Sequence, residues 1–213
     1  MNINKFCIFT PMKTIIIVIF GIICCSCSFN NKNANNEIKE KYSNILNSYP
    51  QEIVEHFPDL DEGALLCYDF KYPKGKYLNG IKLVFKMTDD RIQEISDYAA
   101  SNNLHKYSLK DSCLMMTKYD ESLYESMSFR LSMCEKPDQS LAPVPNFAFC
   151  NNLNLPISFY NNAIIYVLDA QKGAILSDHY LSRGVGLPEE WLHGFSKGIV
   201  ISENIVIYWL EVW

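Results

Sequence analysis

The segment Ile205–Trp213 (IVIYWLEVW) constrains the fold most. In an extended strand successive side chains point to opposite faces. One face carries Ile205, Ile207, Trp209, Glu211 and Trp213, and the other Val206, Tyr208, Leu210 and Val212. Both faces are largely apolar. Such a strand has to be covered on both sides, which predicts a central strand, or one with helix on one side and loop on the other. Gly198–Ile201 precedes it across Ser202-Glu203-Asn204, a second-strand-and-turn pattern that predicts a hairpin. Glu211 is the exception on this strand. Buried there, it needs Arg183 or a lysine beside it, or else a raised pKa.

The other elements can be read upstream of it. Glu37–Ser48 places Ile38, Tyr42, Ile45 and Leu46 on one helical face, and Pro50 stops that helix. Gln51–His56 adds a short helical turn before Pro58. Ala64–Phe70 and Gly80–Met87 read as strands, with the lysine-rich KYPKGK stretch (Lys71–Lys76) as the turn between them. Thr88-Asp89-Asp90 opens a helix that runs to about Asn102, with Ile92, Ile95, Tyr98 and Ala99 on its inner face. A strand is expected around Cys113–Thr117. Tyr119–Cys134 fits helix and strand equally well. Glu135–Pro145, with three prolines, is expected to be loop. Ala163–Asp169 and Ala174–Ser177 flank Ala170-Gln171-Lys172-Gly173 as a second hairpin, and Pro188 opens a short helix over Glu189–His193. The count predicts an α+β domain over 37–213. Its sheet is largely antiparallel, with one main helix packed on it and an N-terminal helix.

Ahead of that domain lies MKTIIIVIFGIICCSC (Met12–Cys27). Met12 and Lys13 give a positive start, and Thr14–Ile23 is a ten-residue apolar core. That is the length of a signal h-region and is short for a bilayer span. Ser28–Asn36 then turns abruptly polar and Asn-rich, as a tether does. This arrangement resembles a bacterial lipoprotein signal, in which a cysteine closing the apolar core is lipidated and becomes the new N-terminus. Cys27, preceded by the small Ser26, is the expected lipidation site, and Cys25, with Ile22 three residues before it, is the alternative. Residues 1–11 read as an upstream extension, with Met12 the natural start. The C-terminal run LPEEWLHGFSKGIVISENIVIYWLEVW also resembles segments that end uncharacterised bacterial lipoproteins, which carry no known activity. These likenesses imply attachment to the membrane through an N-terminal lipid and a place in the cell envelope. Ser28, rather than Asp, after the cysteine favours the outer membrane.

From Cys27 onward the chain has 187 residues, with 17 basic against 24 acidic side chains and a net charge of −7. No basic face is available for phosphates, which excludes nucleic acid as a partner. Cys67, Cys113, Cys134 and Cys150 lie beyond the signal. An envelope compartment permits disulfides among them, and spacing alone does not choose between the three possible pairings. No CxxC occurs among these four and no His stands at ligand spacing from a Cys, so no zinc site is expected. Asp59-Leu60-Asp61-Glu62-Gly63 is acidic, but its glycine falls at position 5 of a would-be calcium loop instead of 6, so a solvated turn is expected. Gly184-Val185-Gly186 lacks the third glycine of a dinucleotide loop, and no cofactor is expected.

Two residues are weak catalytic candidates. Ser196 lies in Gly194-Phe195-Ser196-Lys197-Gly198, which fits the G-x-S-x-G nucleophile elbow. That elbow needs a strand before the serine and a helix after it, whereas here the order is reversed and no His follows. A glycine-rich loop from helix into strand explains the pattern. His179, in Asp178-His179-Tyr180 near the end of the second hairpin, is the other, although a strand places Asp178 on the opposite face. Among the many aromatics, Tyr160, Tyr166, Tyr180, Trp191, Phe195, Tyr208 and Trp213 are candidates for a binding groove or simply for core. The reading is a lipid-anchored envelope protein of binding or assembly type, without evident catalysis, with an envelope protein or glycan as partner. The alternative is an envelope hydrolase acting on peptide or glycan with His179 as general base.

Overall fold

The structure, a computed structural model, describes residues 36–74, 78–118, 134, 141–150, 153, 155–182 and 185–213. The chain divides into two compact units, Met1–Ser43 and Asn44–Trp213. Helix α1 covers residues 36–46. In the first unit its exposed Glu37 and Lys41 pair one turn apart at 2.7 Å. The expected signal, Cys25, Cys27 and most of the polar tether lie outside the described residues.

The second unit is an α+β fold built on a six-stranded sheet. Its strands are β1 (Ala64–Lys71), β2 (Asn79–Lys86), β3 (Lys106–Ser108), β6 (Ile164–Lys172), β7 (Gly194–Ser202) and β8 (Ile205–Val212). They lie in the order β1-β2-β8-β7-β6-β3, and every neighbouring pair is antiparallel. The doubly apolar strand β8 is interior, bonded along its whole length to β2 on one side and β7 on the other. It is joined to β7 by the expected tight turn, where Glu203 takes φ 53°.

Register sorts the side chains into two faces. Lys82 and Val84 lie opposite Trp209 and Ile207, and Gly198 and Val200 lie opposite the same two residues from the other side. This face packs on Cys113, Ala142, Val144, Phe147 and Phe159. Ala142 and Val144 belong to a two-stranded parallel sheet, β4 (Leu114–Met116) with β5 (Ala142–Val144), Cys113 and Phe147 flank it, and Phe159 comes from helix α4 (Ile157–Asn162). On the opposite face lie Leu83, Tyr208 and Ile199, in register across three strands. Helix α2 (Gln51–Val54) and helix α3 (Asp89–Ser101) contribute the buried Ile53, Val54, Ile95 and Ala99. Nearby, Tyr49 donates its hydroxyl to the Lys71 carbonyl at 2.5 Å.

Several expectations need correction. The hairpin expected about residues 170–173 does not form. Instead β6 runs through to Lys172 and pairs with β7, and Gly173, at φ 103°, ends it while its N–H bonds to the His193 carbonyl at 2.8 Å. Pro143 lies inside a strand rather than a loop. It escapes the ladder because Ala142 and Val144 make the bonds, Ala142 N–H to Cys113 O at 2.8 Å and Thr117 N–H to Val144 O at 2.9 Å. Glu189–Trp191 is a single 3-10 turn, and His193 lies beyond it. Thr88 starts α3 as expected, but its hydroxyl makes no cap bond; the backbone N–H of Ile92 bonds to its carbonyl instead. Tyr98 is 55% exposed, leaving Ile95 and Ala99 as the buried stripe.

Candidate functional site

A cleft of about 600 Å³ opens between α2, α3 and one face of β6, β7 and β8. That volume falls within the range of small-molecule sites. Its apolar surface comes from Ile95 and Leu104 at the helix side and Leu168 and Ile199 on the sheet. Glu55 and His56 reach in from the end of α2, and Arg91, Glu94, Tyr98 and Asn102 from α3 and the turn that follows. The sheet adds Asp169, Lys197 and Tyr208.

A β-bulge decides the sheet's contribution. Tyr166 lies opposite Ile199 on the cleft face, so simple alternation would turn Asp169 to the far face. The register slips between Val167 and Asp169, and Asp169 lies opposite Lys197, on the cleft face. One extra residue thus brings both Leu168 and Asp169 into the cleft.

The cations of the cleft are already engaged. Arg91 bonds to Glu94 at 2.6 Å and to Glu62, and these partners raise its pKa, the Glu94 hydrogen bond first. Lys197, nearly buried, donates to the Glu52 carbonyl at 2.5 Å and lies 3.5 Å from Glu55 Oε1. His56 Nε2 lies 3.0 Å from the Trp209 carbonyl. A carbonyl only accepts, so Nε2 carries the hydrogen and Nδ1 is the acceptor. Nδ1 is buried without a donor. Burial pushes the His56 pKa down to about 3, aided by the charge of Lys197 and opposed by the bond to Trp209, so the ring is neutral. Burial likewise pushes Tyr208 up to about 12, keeping its phenol protonated. Asp169 accepts a hydrogen bond from Gln171 at 2.9 Å, and among the described residues no cation pairs with it.

The candidates from the sequence lie elsewhere. Ser196 is within strand β7, not in a loop, and is completely buried on the far face. Its Oγ accepts a hydrogen bond from Trp209 Nε1 at 3.4 Å. A Cβ on Gly198 would stand 2.2 Å from the Trp209 ring and 2.3 Å from the Tyr166 carbonyl, and one on Gly194 would stand 2.5 Å from the Gln171 carbonyl. The G-x-S-x-G spacing therefore reflects close packing of β7, under the Trp209 indole at Ser196 and Gly198 and against the β6 backbone at Gly194. His179 lies on an exposed 3-10 turn, Asp178–Tyr180, rather than at a strand end, with its ring edge-on to Tyr180 at 5.1 Å. Of the aromatic candidates Tyr208 lines the cleft, Tyr166, Trp191, Phe195 and Trp213 are core, and Tyr160 and Tyr180 are partly exposed.

Glu211 is 1% exposed and pairs with Lys82 at 2.6 Å, while Thr117 donates its hydroxyl to the other carboxylate oxygen. The partner is thus a lysine from the adjacent strand; Arg183 lies outside the described residues. The four cysteines form two disulfides, Cys67–Cys150 and Cys113–Cys134. Among the described residues no group of three or more His, Cys, Asp or Glu could hold a metal ion. Nor is any described helix long and apolar enough to cross a membrane. Searches against protein-family models, curated proteins and solved structures find no match to this chain.

Proposed function

We propose that this chain is a lipid-anchored cell-envelope protein of binding or assembly type, held at the outer membrane through Cys27, or through Cys25 as the alternative. The observation that carries the proposal is the pairing of all four cysteines beyond the signal-like segment into two disulfides. Disulfides persist in oxidising compartments and are rare in reducing ones, which suits a chain that has left the cytoplasm. Binding is favoured over catalysis by the cleft. Its described lining contains no Ser, Thr or Cys nucleophile, and its cations are engaged by carboxylates and a backbone carbonyl. The hydrolase alternative gains no support from His179, whose exposed turn brings Tyr180 against the ring.

The test is cross-linking with mass spectrometry in the native host, on the unaltered chain and on a Cys25→Ala/Cys27→Ala form, alongside labelled-palmitate incorporation. The expected result is a lipid label and a defined envelope partner that both disappear in the double variant. An unlabelled chain, or turnover of a peptide or glycan that is lost on His179→Ala, would overturn the proposal.

A further inference from the structure

We infer that the cleft between α2, α3 and the sheet binds a small monocation, a primary ammonium carried on an apolar stem, with Asp169 as its charge partner. The inference rests on the reading of this protein as a binding module and names the ligand class of that site. It follows from a donor and acceptor inventory. Among the described lining, every side chain with a nitrogen donor already has a partner: Arg91 Nη1 and Nη2 bond to Glu94 and Glu62, leaving only its Nε buried without an acceptor, Lys197 goes to the Glu52 carbonyl and Glu55, His56 to the Trp209 carbonyl, and Asn102 to the Tyr98 carbonyl. What remains is rich in acceptors. Among the described residues the Asp169 carboxylate makes no ion pair, and His56 Nδ1 is buried without a donor.

Charge points the same way. Three carboxylates (Glu55, Glu94, Asp169) face two cations in the lining, and two of the carboxylates are consumed by those cations. An anionic ligand would meet this surplus with both described cations of the lining already paired to carboxylates. A ligand bringing one positive charge and several N–H donors complements it. Ile95, Ile199 and Leu168 leave an apolar wall for the stem, with the Tyr208 ring beside them. The single uncompensated carboxylate favours an organic monocation over a divalent metal, which requires several oxygen ligands.

The test uses the full chain in non-ionic detergent and equilibrium dialysis against two probes of one shape. Tyramine carries an ammonium, and 3-(4-hydroxyphenyl)propionate carries a carboxylate in its place. Tyramine is expected to bind saturably at one site and the propionate not to bind. Asp169→Asn is expected to weaken tyramine at least tenfold, while Asp178→Asn, on the exposed 3-10 turn, leaves it unchanged. Unaltered thermal melting of Asp169→Asn shows that the loss is local. Equal binding of both probes, no tyramine binding, or indifference to Asp169→Asn overturns the inference. If tyramine fails while an anchored-form partner is captured by cross-linking, the ligand class falls and the binding reading stands. If tyramine binds and no envelope partner or lipid label is found, the envelope reading falls and the site stands.

Discussion

Replacing Lys82 by Met removes one charge from the interior while keeping most of the stem. The ion pair it breaks is nearly dry: Lys82 and Glu211 side chains are 7% and 1% exposed and 2.6 Å apart, with Lys82 5.4 Å from the centre of the Phe149 ring. Leaving one charge of a buried pair uncompensated costs about 3–5 kcal/mol. For a domain of this size each kcal/mol corresponds to about 2–4 °C, so the melting temperature is expected to fall by roughly 6–20 °C. Lys82→Met/Glu211→Leu removes both charges and is expected to recover most of that loss, because well-packed apolar side chains replace buried ion pairs at little cost. Thr117 does not become an orphan in the double variant, since its hydroxyl also lies 3.3 Å from the Val144 carbonyl. The assay is thermal and urea unfolding under non-reducing conditions, followed by tryptophan fluorescence, with Trp209 directly across from Lys82. A single variant that loses under about 1 kcal/mol, in the range of exposed pairs, would refute the buried-pair argument. So would a double variant as unstable as the single.

Two further expectations concern the covalent frame and pH. Cys67–Cys150 closes 83 residues and Cys113–Cys134 closes 21; the chain-entropy relation gives losses of about 4–5 and about 3 kcal/mol for their paired Cys→Ser variants, read as shifts in the urea midpoint. An equal or reversed ranking would count against unfolded-state entropy as the dominant effect. His56, with its folded pKa pushed down to about 3, binds a proton in the unfolded chain, whose reference value is about 6.5, before it does in the fold. Its contribution is therefore fully present above pH 6.5 and is lost as pH falls through the window down to about 3, at up to about 1.4 kcal/mol per pH unit. His56→Gln is expected to flatten that part of the stability profile, and an unchanged slope would show that His56 is not held neutral.

The chain's own pattern shows much of the fold. Apolar residues on both faces of Ile205–Val212 leave no solvent-facing side, and β8 is interior. Alternation marked β1, β2 and the β7–β8 turn, and 3.6-residue periodicity marked α3, because these signals depend only on near neighbours. Local pattern failed where a distant partner decided. Ala170-Gln171-Lys172-Gly173 has turn chemistry, yet β6 passes through three of its residues because β7 offers a full ladder. Pro143 reads as a strand breaker, yet it occupies a strand whose bonds leave it on the free side.

The candidate site was less legible still. Gly194, Ser196 and Gly198 match a catalytic spacing, but Ser196 and Gly198 answer to the Trp209 indole lying over β7 and Gly194 to the Gln171 carbonyl beside Trp213, contacts made between strands. Asp169 carries no mark in the sequence, and only a one-residue slip against β7 turns its carboxylate to the cleft. The residue pattern alone carried the α+β class, the covering of β8 on both faces and the demand that a buried Glu211 find a cation or a raised pKa, because burial and alternation are properties of a segment. Tertiary structure alone decided which lysine answers Glu211, which cysteines pair, and which charges in the cleft remain uncompensated. Those outcomes depend on register between strands remote in the chain, and a single residue of register moves a side chain from one face of a sheet to the other.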